Sequence, residues 1–391
     1  FIIRAGFGIA IGENYLPMAD QIVFDELARN ISSGMGLMIT ERVTQPPEDA
    51  PPEIIERYYT MPERIRDMRL NALWGVIIPG KPTAYIEPLV PLVFAGIYYI
   101  FGPTVIVPRL LHALLEALVV GMIFGLGRMA FPEGSRAPGL AALVYAFYPY
   151  SVMFSESMVT QPIYLFLQFA TIYLFFRFLV KPDWGKAALT GLAFGLTALA
   201  RISIITFAPF FLIAVLVWKG ERRWLPAAGA LIVAGLVLVP WVLRNQAAMG
   251  VPLLLPTKGG RNLWQYNNQI FSQERLNEKG TQGIDKIYQD FALDNIDKIR
   301  GKDLIEFPEF TTETEVERDR IMKERVKEFV RLNPGISLQL MALRFYQFFR
   351  IEPIDRRVGG VRITIVAGQR HDIERDRLAV HAKLVLPLHR G

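Results

Sequence analysis

Three long, predominantly apolar runs constrain this chain before anything else: "LLHALLEALVVGMIFGLG", "IYLFLQFATIYLFFRFLV" and "AAGALIVAGLVLVPWVL". Each approaches the roughly 20 apolar residues that a helix needs to cross a bilayer. They are runs rather than stripes, so no polar face is set aside for water. In hydrocarbon each backbone N–H and C=O must be paired inside the segment, and helices meet that condition. With 52% hydrophobic residues over 391 positions, the chain holds more apolar residues than a soluble domain of its length needs. The sequence reads as an all-α, polytopic integral membrane protein.

Charge then sets topology. The net charge of +6 is not a nucleic-acid signal, because Lys and Arg cluster between the apolar runs. Arg128 and Arg136, then Arg177, Lys181 and Lys186, then Lys219, Arg222 and Arg223, then Arg350, Arg356 and Arg357 form four basic clusters. Assigned to the cytoplasmic side, they place spans at roughly 1–16, 108–130, 137–153, 158–179, 187–201, 203–218, 225–246 and 336–350. The segments 17–107, 150–158, 200–204 and 244–335 then share the outer face. Asp20, Lys81, Glu87, Glu156, Arg201, Arg244 and Asn245 all fall there, although none of them enters the charge count.

The expected organisation is a transmembrane bundle over 1–350, with a first outer loop at 17–107, a second outer segment at 247–335 and an atypical basic tail at 351–391. In "DQIVFDELARNIS" the apolar residues Ile22, Val23, Leu27 and Ile31 have helical spacing. "EPLVPLVFAGIYYIFG" reads as a helix in the outer interface, anchored by Tyr98 and Tyr99. "TETEVERDRIMKERVKEFVRLNPG" reads as a charged helix that starts near Thr314 and stops at Asn333-Pro334-Gly335. The short first run and the opening Phe1 suggest a fragment of a first span, with no signal peptide; the tail suggests a truncated or frame-disrupted end.

Several side chains could carry chemistry. Asp20 stands at a membrane edge and reads as a general base, a metal ligand or a plain helix N-cap. Lys81, between Gly80 and Pro82, is a loop cation suited to a phosphate, or simply a solvated lysine. Arg201 and Arg244, at outer ends of apolar spans, need an anionic partner, a set of carbonyls or room to snorkel to headgroups, and each offers the bidentate fork that matches phosphate. Arg109, His112 and Glu116 share one helix stripe, either as a buried functional set or as interhelical glue. Glu156 and Asn245 lie at outer span ends, and for Glu156 the plain alternative is a solvated loop residue. Trp264 and Tyr266 could stack on a sugar, although interfacial aromatics are common. The absence of cysteine removes disulfide and thiolate chemistry, and the sequence has no zinc-type spacing and no Walker A pattern.

Five stretches in order resemble the GT-C superfamily of membrane glycosyltransferases, closest to protein O-mannosyltransferases and lipid A aminoarabinose transferases (glycosyltransferase family 39-like). They are "ADQIVFDELARNISSGMG", "KPTAYIEPLVPLVFAGIYYIFG", "YPYSVMFSESMVTQPIYLFL", "GLAFGLTALARIS" and "VPWVLRNQAAMGVPLLLPTKGGRNLWQYNN", covering about 1–350. The resemblance implies Asp20 as catalytic base. It implies a polyprenyl-phosphate sugar donor whose phosphate is held by basic residues on the outer face, with Lys81, Arg201 and Arg244 as the candidates; Glu156, Asn245, Trp264 and Tyr266 are candidate substrate contacts beside them. It implies a protein, lipid or glycan acceptor, and an active site on the non-cytoplasmic face of a plasma (inner) membrane. No cofactor follows from it: Gln21, where many members carry an acid, weakens a divalent-metal reading. Glu87 and the tail also depart from the family pattern. A lipid-linked sugar transporter or flippase is the rival reading, expected to line mid-membrane with polar residues and to show repeated halves.

Overall fold

A computed structural model describes residues 1–11, 20–40, 76–217, 224–272 and 286–349, and the backbone of three strands within 354–385. The Asp20 side chain, most of the first outer loop (41–75), the basic cluster Lys219, Arg222 and Arg223, and the tail side chains lie outside what is described. The chain forms two compact units, Phe1–Lys258 and Gly259–Gly391.

The first unit is helical. Its elements are α1 (Ile2–Ile11), α2 (Asp20–Ser32), α3 (Leu89–Phe101), α4 (Ile106–Ala130), α5 (Ala137–Ala146), α6 (Pro149–Ser155), α7 (Gln161–Val180), α8 (Trp184–Ala200), a 3-10 segment (Ile202–Phe207), α9 (Ala208–Val217) and α10 (Trp224–Met249). Among the described residues, α4, α7 and α10 are long and apolar enough to cross a membrane. Their outward residues are apolar too: Phe124 on α4, Phe176 on α7, and Ile232, Leu236 and Leu243 on α10 are exposed. A helix that shows apolar side chains on its uncovered face is matched to lipid rather than to water. The protein is thus a helical membrane protein.

Packing runs in a continuous series. α5 lies on α4, α4 on α7, α7 on α8 and α8 on α10, while α1 rests on α4 and α2 on α3. The α8–α10 contact depends on missing side chains. A Cβ on Gly191 would collide with the carbonyl oxygen of Ala230, and one on Gly195 would stand 2.7 Å from Cβ of Val237. Small residues spaced by four let helix backbones approach where lipid offers no hydrophobic drive between helices. Across the α7–α8 contact, the buried hydroxyls of Thr171 and Thr197 lie 3.0 Å apart and share a hydrogen bond.

Two sequence expectations change in detail. The span expected at 137–153 is broken into α5 and α6 at Phe147-Tyr148, just before Pro149; a proline has no N–H to continue a helix ladder. Tyr98 is not an interfacial anchor. It is 3% exposed, and its hydroxyl donates to Asp25 of α2 at 2.6 Å, whereas Tyr99 is 81% exposed. The tail, set apart from the helical bundle in sequence, carries strands: β1 (Ile354–Val358), β2 (Val361–Ala367) and β3 (Val380–Val385) form an antiparallel meander.

The second unit carries α11 (Lys258–Asn267, whose first residue closes the first unit), α12 (Lys286–Asn295), α13 (Glu315–Leu332), α14 (Pro334–Phe349) and those strands. Its core gathers Ile270, Phe271, Ala292, Leu304, Phe329 and Leu340. α13 starts where the sequence indicates. Thr314 accepts from the Glu317 N–H, and the Glu317 carboxylate accepts from the Thr314 N–H at 2.8 Å, a reciprocal capping box.

Candidate functional site

One short segment, residues 81–87, organises the site. It follows the turn at Gly80, whose φ of +71° suits a residue without Cβ. Its first half pairs with the chain leaving α2. The Thr83 N–H donates to the Leu37 carbonyl at 2.9 Å, the Gly80 N–H to Ile39 at 2.8 Å, and Met38 bridges Pro82. Gly34 and Gly36, at φ +85° and +83°, turn the chain off the end of α2. Asn30 holds that turn: its carbonyl accepts from the N–H groups of Met35 and Gly36, and its amide donates to the Met38 carbonyl at 2.8 Å.

Four other parts of the first unit meet this segment. Arg244, near the end of α10, donates to the carbonyls of Thr83 (2.8 Å) and Leu37 (2.9 Å) and to Oδ1 of Asn245 (3.0 Å), with its guanidinium over the Trp241 ring. Asn245 is fully buried and donates to the Leu253 carbonyl at 2.8 Å. The Thr257 N–H donates to the Ala84 carbonyl at 3.0 Å. Glu87 is buried, and both of its oxygens are engaged. Oε1 accepts from the Ile202 N–H at 3.1 Å, and Oε2 accepts from Nζ of Lys258 at 2.6 Å. A buried carboxylate needs such partners, because an unpaired one would be far too costly to desolvate.

This arrangement sorts the expected phosphate ligands. Lys81 is exposed on the segment's first residue. Arg201 ends α8 in extended backbone, is exposed, and lies over the Tyr164 ring at 5.8 Å. Among the described residues its guanidinium makes no hydrogen bond, so its fork is open to an anion. Arg244 differs: its guanidinium is committed to main-chain carbonyls, and it works as a strap between α10 and the two paired loop segments. Lys258 is a residue that sequence reasoning misses. Only the Thr-Lys-Gly-Gly context before a helix could draw attention to it.

Asp20 is the first residue of α2. The structure shows how that helix is anchored. Asp25 accepts from the Tyr98 hydroxyl and from Arg29 Nε at 3.0 Å, and Glu26 accepts from Asn30 at 3.1 Å and from the Thr40 hydroxyl. Val23, Leu27 and Ala28 are fully buried. The carboxylates following Asp20 on α2 therefore fix the helix, and Asp20 stands apart from them in sequence.

Glu156 is not a solvated loop residue. It is buried beside Arg109, whose Nε donates to its carbonyl at 3.0 Å and lies 3.9 Å from Oε2. Burial pushes its carboxyl up to about 7, with Arg109 and the Ser155 hydroxyl opposing. Next to it, Glu116 accepts from Ser151 (2.5 Å) and Tyr145 (2.8 Å), with Arg4 of α1 4.0 Å away. His112 packs against Phe94 at 5.6 Å between ring centroids. The stripe Arg109, His112 and Glu116 thus joins α4 to α1, α5 and α6, which is the interhelical alternative open from sequence. α1 comes close enough that a Cβ on Gly8 would meet Glu156 Oε2 at 2.5 Å.

In the second unit Trp264 is 1% exposed. Its indole N–H donates to the Leu304 carbonyl at 3.1 Å and its ring meets Phe307 edge-on. It is a core residue, with no face open to stack on a sugar. Tyr266 is exposed, and its carbonyl accepts from Arg344. No group of three or more His, Cys, Asp or Glu able to hold a metal occurs among the described residues.

Residues 81–243 match the family model described as dolichyl-phosphate-mannose-protein mannosyltransferase. The match opens on Lys81, takes in Glu87, Glu156 and Arg201, and closes one residue before Arg244. The resemblance drawn from sequence motifs is borne out over that stretch, where the chain is similar to a mannosyltransferase family. No curated protein and no solved structure matches the chain.

Proposed function

We propose that this protein, similar over 81–243 to the mannosyltransferase family, transfers a sugar from a polyprenyl-phosphate carrier to an acceptor hydroxyl at the non-cytoplasmic face of a plasma membrane. The observation that carries this reading is Arg201: an exposed guanidinium at a helix end, stacked on Tyr164, unbonded among the described residues, and one residue from the amide that binds Glu87. Lys81 begins the same segment that Glu87 ends.

The chemistry asked of such a site is specific. As the acceptor oxygen bonds to the anomeric carbon, the bond from that carbon to the phosphate oxygen breaks. The carrier leaves as a phosphate monoester with more negative charge than the diester it came from. Cations fixed beforehand where that charge develops lower the barrier most. Arg201 and Lys81 are assigned that role. The acceptor proton must also leave, and Asp20, at the start of a helix fixed on α3, is assigned as its general base. Arg244 and Asn245 shape the site by holding the loops. The family's description makes a mannosyl polyprenyl phosphate and a protein hydroxyl the first donor and acceptor to try.

The test uses membranes carrying the protein, a labelled panel of polyprenyl-phosphate sugars and envelope acceptors. Label transfer with release of polyprenyl phosphate, lost in Asp20→Asn and reduced in Arg201→Ala, is the expected result. Transfer unchanged in Asp20→Asn would reduce Asp20 to a helix cap. Movement of the carrier across the bilayer without transfer would replace the enzyme by a transporter.

A further inference from the structure

We infer that Lys258 is a phosphate-binding cation of this site, held in place by Glu87, and not merely the counter-ion of a buried carboxylate. The inference rests on the donor-phosphate reading above and adds a residue that lies outside the family-matched stretch.

The geometry is a three-way junction. One carboxylate, Glu87, reaches the Ile202 N–H with one oxygen and the Lys258 ammonium with the other. Lys258 is thereby held within a single carboxylate's span of the main chain that carries Arg201. The two partners differ in exposure: the Glu87 side chain is 4% exposed and that of Lys258 26%. The carboxylate is buried, and the lysine side chain keeps partial exposure. An ammonium has three donors, and among the described residues Glu87 takes one of them.

The preceding residue holds Lys258 in place. The Thr257 N–H is tied to the Ala84 carbonyl. A lysine so anchored at its base and at its tip loses little freedom on meeting an anion, which is the condition for a preorganised charge.

Charge counting separates this role from a purely structural one. If Lys258 only neutralised Glu87, removing both charges together would leave phosphate binding untouched. If it also binds phosphate, the pair contributes a cation at the surface while Glu87 remains satisfied by Ile202. The double change would then cost affinity.

The experiment measures binding of farnesyl phosphate and of farnesol to the purified full-length protein in nanodiscs. The ratio of the two affinities isolates the phosphate contribution. Lys258→Met alone leaves the buried Glu87 carboxylate without its cation and could unfold the protein, so Glu87→Gln/Lys258→Met is the informative variant and Lys258→Arg the rescue. Expected is a phosphate preference in the native protein that falls about tenfold or more in the double variant, the loss of one charge-assisted contact, and is partly kept in Lys258→Arg. A preference unchanged in the double variant would make Lys258 a structural counter-ion and overturn the inference while leaving Arg201 and Lys81 in place. No preference in the native protein would overturn the phosphate reading itself, and this inference with it.

Discussion

Arg244 donates to the carbonyl oxygen of Thr83 at 2.8 Å, tying the end of a membrane-length helix to a loop 161 positions earlier in the chain. The same guanidinium takes the Leu37 carbonyl, so one side chain fastens both strands of the small loop pair from which Lys81 projects. Lysine cannot reproduce this, since it lacks the planar fork that reaches two carbonyls at once. Arg244→Lys is expected to lower stability by about 1–3 kcal/mol, the cost of carbonyls left unsatisfied. It should also raise proteolytic nicking near 37–40 and 80–84. A thermal melt in detergent and limited proteolysis check both. A variant that keeps native stability and protection would show that the strap is dispensable.

The contact of α8 with α10 leaves no room at Gly191. A Cβ there would run into a backbone oxygen, which cannot swing aside as a side chain can. Gly191→Leu should therefore separate the helices and strongly reduce the yield of folded protein. At Gly235, on α10, a methyl group would meet no atom within 4 Å, so alanine should be accepted there without loss. Size-exclusion profiles of the two variants in detergent give the comparison. Equal profiles would mean that the two helices do not meet as described.

Glu156 gives a pH signature. Its carboxyl is pushed from an ordinary value near 4.5 up to about 7 by burial, so the folded protein favours the neutral form. Below pH 4.5 both folded and unfolded chains hold the proton, and this group imposes no penalty. Between about 4.5 and 7 the unfolded chain releases the proton first, so stability falls as pH rises, and it levels off above 7. Glu156→Gln should flatten that part of the curve. Melting temperatures from pH 4.5 to 8 test it, and an identical slope in the variant would argue against the assignment.

The capping box of α13 offers a measurement on the second unit. Thr314→Ala removes the side-chain acceptor for the Glu317 N–H and is expected to cost about 1 kcal/mol. Thr314→Ser should retain most of it. Hydrogen exchange at the first turn of α13 reports the difference. Faster exchange in Ala but not in Ser is the expected pattern, and equal rates would remove the cap from the account of this helix.

Local patterns were enough to set the class of the protein and the position of most of its helices. Runs of apolar residues fix spans because hydrocarbon length and backbone pairing leave few alternatives, as with "LLHALLEALVVGMIFGLG". Local chemistry likewise fixes the start of α13, since a Thr-x-x-Glu box acts within one turn. The candidate cations are legible as residue types in unusual places. What each does is not, because hydrogen-bond partners lie far away in the chain. Arg201 and Arg244 look alike in sequence, both at span ends. Tertiary structure gives one an aromatic platform and an open fork, and the other two main-chain carbonyls. Trp264 reads as a surface aromatic until the packing of the second unit encloses it, and Glu156 as a loop acid until α1 and Arg109 cover it. Lys258 gives almost no signal, since its meaning depends on Glu87, 171 positions away. Hydrophobic length is a property of a segment and can be read from it. Burial and pairing of a charge are properties of the assembled chain, and they exist only once distant segments have met.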